Sequence, residues 1–207
     1  MTLSLGHSVP WSLGHLVTRY LNMKRLFVAI KIKPDEVFLE QFRELKDALK
    51  HEPIKWVEEH NIHITLKFFG DTDEQRIPAI GRALDRVAGE TRAFRFSLKG
   101  LGIFGSKYEP RVIWTAIRPY ETLAGLMEQV HASLETEGFE RDRQNLVPHL
   151  TLGRIKYLKD RKLFQDVIDE SRDMASAPIT AAGMILFESI LKKEGPEYRM
   201  IQAHPFQ

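Results

Sequence analysis

Apolar positions along this chain change period in a regular order. Leu26 to Ile32 is an apolar, β-rich run that stops before Pro34, and it predicts a strand. Asp35 stands where a helix N-cap belongs. Phe38, Phe42, Leu45 and Leu49 follow at helical spacing, with charges between them. His51 to Pro53 breaks that helix. From Ile62 the period drops to two: Ile62, Ile64, Leu66 and Phe68 fall on one face of a predicted strand, and His63, Thr65 and Lys67 on the other. A second helix is predicted from Asp73 to about Ala88, burying Ile77, Ile80, Leu84 and Val87. Phe94, Phe96 and Leu98 alternate as a further strand, and residues 100–110 read as a glycine-bearing loop.

The order then begins again. Strands are predicted at Arg111 to Ile117 and Leu146 to Ile155, with a helix from Thr122 to about Thr136 between them. A helix from Lys159 to about Ile168, a long strand from Ala181 to Leu191 and a short one from Tyr198 to Ala203 complete the chain. His63 and His149 are 86 positions apart, and Ala29 and Ala116 are 87 apart. One offset therefore relates two copies of strand, helix, His-x-Thr strand, helix, strand. Solenoids repeat every ~20–50 residues in several copies, so this longer period predicts a duplicated half-domain instead. Two such halves make two lobes about an approximate two-fold axis.

Composition narrows the class. The 207 residues are 43% hydrophobic and 28% charged, which is ordinary for a soluble globular protein with its own core. No apolar run approaches the ~20 residues that a membrane helix needs. The net charge of +2 is too small to indicate nucleic-acid binding by itself, so any phosphate-binding patch must be local. The chain has no cysteine, which excludes disulfides, thiol nucleophiles and thiolate metal sites and fits a reducing cytoplasm. Residues 1–22 contain no acidic residue and Arg19 as their one base, in a sequence too broken for a signal peptide. They are read as an extension to a domain spanning 23–207.

The repeated motif carries the chemistry. On a strand, His63 and Thr65 share a face, as do His149 and Thr151. If a two-fold axis relates the halves, two imidazoles and two hydroxyls line one cleft. Histidine titrates near neutrality, so one imidazole can act as base while the other acts as acid. Hydrolysis of a cyclic phosphodiester needs both, on opposite sides of phosphorus. Threonine hydroxyls can donate to non-bridging oxygens, and Arg154, three residues after Thr151, is a candidate phosphate clamp. By parity Lys67 joins the His63 face and is expected at the cleft rim. A lone His-x-Thr is common by chance, and a strand histidine is usually just hydrogen-bonded. Two copies in equivalent places, each on an otherwise apolar strand, favour the functional reading.

The string Trp56-Val57-Glu58-Glu59-His60-Asn61-Ile62-His63-Ile64-Thr65-Leu66-Lys67-Phe68-Phe69-Gly70 closely resembles the first motif of the two-histidine (2H) phosphoesterases. Within that family it resembles the bacterial and archaeal RNA 2′,3′-cyclic phosphodiesterases, often labelled 2′-5′ RNA ligases. Pro148-His149-Leu150-Thr151-Leu152-Gly153-Arg154 resembles their second motif, and the resemblance covers about residues 23–207. It implies a bilobal α+β fold, with antiparallel sheets around a central cleft. It implies hydrolysis of a terminal 2′,3′-cyclic phosphate of RNA to a 2′-phosphate, without metal or other cofactor, with weak reverse ligation as a minor activity. His63 is then the general acid at the departing 3′ oxygen and His149 the base that activates water. Thr65, Thr151 and Arg154 hold the phosphate.

The remaining candidates are weaker. His60 and His63 have i, i+3 spacing but point to opposite faces of a strand, and no third ligand completes a metal site. Trp56 and Phe69 are candidates for stacking on a base, with core packing the favoured alternative for Phe69. Arg141 and Arg143 are candidates for drawing RNA backbone to the cleft, with a solvated loop as the alternative. His7, His15, His51, His131 and His204 read as surface or structural. The rival functions are a 2H phosphodiesterase for a small cyclic nucleotide or a 2′-5′-linked oligonucleotide, a non-catalytic RNA- or nucleotide-binding module, and a metal-dependent phosphodiesterase. The expected enzyme is a cytoplasmic monomer with no membrane partner.

Overall fold

A computed structural model describes residues 22–106, 108–142, 147–193 and 195–207. The 1–21 part of the expected extension lies outside them, as do Arg143, His7 and His15. The first half contributes β1 (Met23–Lys31), α1 (Glu36–Ala48), β2 (Ile54–Trp56), β3 (His63–Asp73), α2 (Ile77–Glu90) and β4 (Phe94–Ser106). The second contributes β5 (Glu109–Arg118), α3 (Tyr120–Thr136), β6 (His149–Ile155), α4 (Arg161–Glu170), β7 (Ile179–Ala181), β8 (Gly183–Leu191) and β9 (Pro196–Pro205). Every strand pairing is antiparallel.

The halves interlock. One sheet runs β3-β1-β8-β9, and the other β2-β6-β5-β4-β7. Each His-x-Thr strand pairs with the opening strand of its own half, β3 with β1 and β6 with β5. The next strand of each half crosses over: β4 pairs with β5, and β8 with β1. The helices obey the same exchange, since α2 packs on α3 and α1 shares a cavity wall with α4. Among the described residues, the larger of two hydrophobic clusters runs through both halves, with Phe38, Phe42, Ile64, Leu84, Leu126 and Leu152 all buried in it. The approximate two-fold of the sequence is therefore a strand-exchanged α+β unit, with neither half able to close its sheet alone.

Several local expectations change. The predicted loop at 100–110 is the tip of a β4–β5 hairpin, because the strands continue their pairing out to Ser106 and Glu109. The predicted strand from Ala181 divides at Ala182: β7 joins one sheet and β8 the other. Asp35 occupies the N-cap of α1 without capping it, since its carboxylate accepts the Ala177 N–H at 3.1 Å instead.

Two β-bulges matter most. Along β1, Lys31, Ile30 and Ala29 face His63, Ile64 and Thr65 in step, but Val28 faces Lys67. Leu66 is the extra residue, so Leu66 and Lys67 both turn into the core and Phe68 turns outward. In β6 the register slips in the same place: Trp114 faces Thr151 and Ile113 faces Gly153, leaving Leu152 extra. Leu152 and Gly153 turn inward, and Arg154 is exposed.

The first bulge corrects the expectation for Lys67. Its side chain is 6% exposed, and its ammonium donates to the Glu140 carbonyl at 2.9 Å and pairs with the Asp142 carboxylate. Lys67 thus ties β3 to the segment that leads toward β6. Removing the carboxylate partner of the buried Lys67 ammonium leaves its charge uncompensated, whereas replacing the lysine by an apolar side chain does not. Asp142→Ala is expected to cost about 2–3 kcal/mol of folding stability and Lys67→Met clearly less, as read by urea unfolding. Equal losses would contradict this account of the pair.

Candidate active site

Both motif histidines are held in the same way. His63 Nδ1–H donates to the carbonyl of Asn61 at 2.6 Å, and His149 Nδ1–H to the carbonyl of Val147 at 2.8 Å. A carbonyl can only accept, so each bond places the proton on Nδ1 and leaves Nε2 as the free nitrogen. The short 3₁₀ turn Glu59–Asn61 presents the first carbonyl. It is tied to the β8–β9 hairpin by the Asn61 side-chain amide, which donates to the Pro196 carbonyl at 3.1 Å.

Each imidazole also sits in an aromatic cup. Phe27 and Tyr198 flank His63, with ring centroids 5.1 and 5.2 Å away. Phe104 meets His149 edge-on at 4.8 Å, and Trp114 lies at 6.3 Å. Phe104 and Trp114 stack on each other, 4.7 Å apart. Gly102 makes the second cup possible, because a Cβ there would come within 2.5 Å of the Trp114 ring. None of these four aromatics emerges from sequence reasoning. Trp114 and Phe27 lie on the partner strands of the two motifs, so the strand pairing is the signal that points to them.

Burial pushes both imidazoles below the ordinary histidine pKa; the backbone hydrogen bonds oppose this, and the Arg154 charge adds to the lowering. Arg154 also acts on the Tyr198 phenol, opposing the rise caused by burial. One guanidinium thus acts on both histidines and on the tyrosine between the sheets. The β6 bulge explains its position. Strict alternation puts Arg154 opposite in parity to His149 and Thr151, and the extra residue restores it to their face. The strands β3 and β6 approach each other, and the Arg154 charge reaches both motif histidines. Thr65 is exposed and Thr151 half-buried.

The other candidates separate. A groove of about 790 Å³ opens beside the histidines without enclosing them, lined among others by Lys55, Trp56, Asn61, Arg154 and Tyr198. Trp56 is part of its wall and packs edge-on against Phe42, with Gly153 leaving room for its ring. Phe69 is not at the cleft: the β3 bulge turns it to the core, edge-on to Phe139. Arg141 is ion-paired with Glu128 and lies 3.5 Å from Glu135. His131 and His204 are buried, the first 3.3 Å from the Leu66 carbonyl and the second 2.6 Å from Asp85. Among the described residues no three metal-ligating side chains cluster, and no helix is long and apolar enough to cross a membrane.

Comparison with known proteins agrees with this geometry. The family model for LigT-like phosphoesterases matches residues 30–114 and 117–198. The chain belongs to the LigT-like phosphoesterase family. A relative from Thermotoga maritima, named RNA 2′,3′-cyclic phosphodiesterase, is 32% identical over 88% of this chain and 96% of its own. One of the same name from Methanocaldococcus jannaschii is 34% identical over 86% of this chain and 98% of its own. The crystal structure of TT0787 from Thermus thermophilus superposes with a TM-score of 0.71 at 25% identity, covering 88% of this chain and 97% of that one. Both His-x-Thr segments of the LigT-like chain lie within the regions that the family model matches.

The electrostatic reading has a direct check. A nearby cation disfavours the imidazolium, so removing it must raise the pKa. In Arg154→Ala, both His63 and His149 are expected to titrate at higher pH than in the parent, as followed by NMR of the ring protons. Unchanged titration of both would place Arg154 away from them.

Proposed function

We propose that this protein hydrolyses the 2′,3′-cyclic phosphate at RNA ends to a 2′-phosphate by metal-independent acid–base catalysis, with His63 and His149 as the acid and the base. The matched pair of imidazoles, each with Nδ1 locked on a backbone carbonyl and Nε2 free, is the observation that carries it. The names of the relatives support the substrate class.

In this mechanism the cyclic phosphate lies between the two strands. Neutral His149 takes a proton from water at Nε2 as the water oxygen bonds to phosphorus. Protonated His63 gives its Nε2 proton to O3′ as the P–O3′ bond breaks, leaving the phosphate on O2′. The pair ends with its protonation states exchanged, and solvent resets it. Burial and Arg154 favour neutral imidazoles, and the negative charge of bound substrate counters this by favouring protonation of one of them. Thr65, Thr151 and Arg154 hold the non-bridging oxygens, where charge builds in the transition state. Trp56 offers a surface for a base at the groove wall. The reverse reaction, ligation to a 5′-hydroxyl, is a minor activity. One chain supplies both histidine strands, which supports a monomer, and the cysteine-free composition supports a cytoplasmic location.

Turnover of a short RNA ending in a 2′,3′-cyclic phosphate is expected to persist in excess EDTA. Each of His63→Ala and His149→Ala is expected to lose about 10²–10⁴-fold in kcat, the usual worth of a positioned acid or base. An inactive parent, or full activity in both variants, would overturn the proposed pair and favour a binding module.

A further inference from the structure

Lys55 and Arg154 face each other directly across the β2–β6 ladder. Paired residues on adjacent strands project to the same face, so both cations stand on the face that the β6 bulge gives to Arg154, together with His149 and Thr151. Both are exposed. Among the described residues neither has a carboxylate partner. Like charges directly opposite each other destabilise a sheet, unless an anion comes between them. Both also line the groove beside the histidines, with Asn61 and Tyr198 at its catalytic end and Trp56 in its wall. β2 is the edge strand of its sheet, so nothing in the sheet flanks Lys55 on its outer side.

We infer that Lys55 forms a second anion subsite, which binds the phosphodiester next to the reacting cyclic phosphate on the 5′ side of a single-stranded RNA. Resting on the proposed function, this assigns a path to the rest of the strand. The terminal phosphate lies with Arg154 between the histidines, and the chain leaves past Lys55 along the groove. Two long cationic side chains rooted on neighbouring strands can splay to hold successive phosphates. Trp56 on the adjoining wall offers a flat surface to the base between them. The subsite makes the enzyme prefer RNA ends to mononucleotides without reading sequence, because backbone charge is common to all sequences.

The test compares a nucleoside 2′,3′-cyclic monophosphate with a dinucleotide carrying the same cyclic end, in the parent, Lys55→Ala and Lys55→Arg. The parent is expected to favour the dinucleotide in kcat/KM. Lys55→Ala should lose about five- to tenfold on the dinucleotide, mainly in KM, with little change on the mononucleotide. Lys55→Arg should restore the preference. The salt dependence of dinucleotide binding should weaken by about 0.7 in log–log slope on removal of this one cation. Equal effects of Lys55→Ala on both substrates, or none on either, would make Lys55 an ordinary charged edge-strand residue and overturn the subsite. Binding of the dinucleotide, measured separately by titration, keeps the two readings apart. Lys55-dependent binding without turnover would sink the hydrolysis and keep the subsite, and loss of that dependence would sink the subsite whatever the turnover.

Discussion

The hydrogen bond from Nδ1 to a carbonyl two residues upstream is the constraint on which this site depends. It occurs twice, at Asn61 and at Val147. It fixes the tautomer, so Nε2 is the nitrogen available to a reactant in both halves. It also makes each histidine part of its backbone turn, because the acceptor is a main-chain atom of the approach to the strand. The aromatic cups complete the arrangement by packing edge-on against each ring. Desolvation then lowers both pKa values, which favours the neutral imidazole.

The fold keeps two such turns in fixed relation by strand exchange. Because β4 and β8 each complete the sheet of the other half, the two halves share the larger hydrophobic cluster. Yet the site is not symmetric. The paired bulges put Gly153 where the first half has Lys67, and Arg154 where it has Phe68. One half therefore uses its bulge to bury a lysine that ties β3 to the segment before β6, and the other uses it to bring a guanidinium to the His149–Thr151 face. Phe68, 45% exposed beneath the Arg25 guanidinium, is the first half's counterpart of that cation. In the proposed mechanism the duplicated scaffold thus supplies two equivalent proton carriers and a single cationic clamp.

Period-two alternation is enough to put His63 with Thr65 and His149 with Thr151, and the common offset is enough to pair the halves. Alternation fails one step further on, at Lys67 and Phe68, because a bulge adds one residue and inverts the parity until a second register shift at Phe69 restores it. Phe69 takes the core-packing alternative rather than the stacking one. Proximity to Thr151 points to Arg154, although only the second bulge puts it on the proper face. The aromatic cups are illegible in the sequence because they come from partner strands and from a hairpin tip that reads as a loop. The division of Ala181–Leu191 between two sheets is hidden too, since a continuous apolar run carries no mark of which sheet it will join.

In the proposed reaction water attacks phosphorus directly, with one imidazole on each side. The stereochemical course at phosphorus distinguishes this from a covalent route. An RNA end bearing a single diastereomer of the 2′,3′-cyclic phosphorothioate, hydrolysed in ¹⁸O-labelled water, is predicted to give a product of inverted configuration. Retention would mean two displacements through a covalent intermediate, and would contradict the acid–base assignment of His63 and His149.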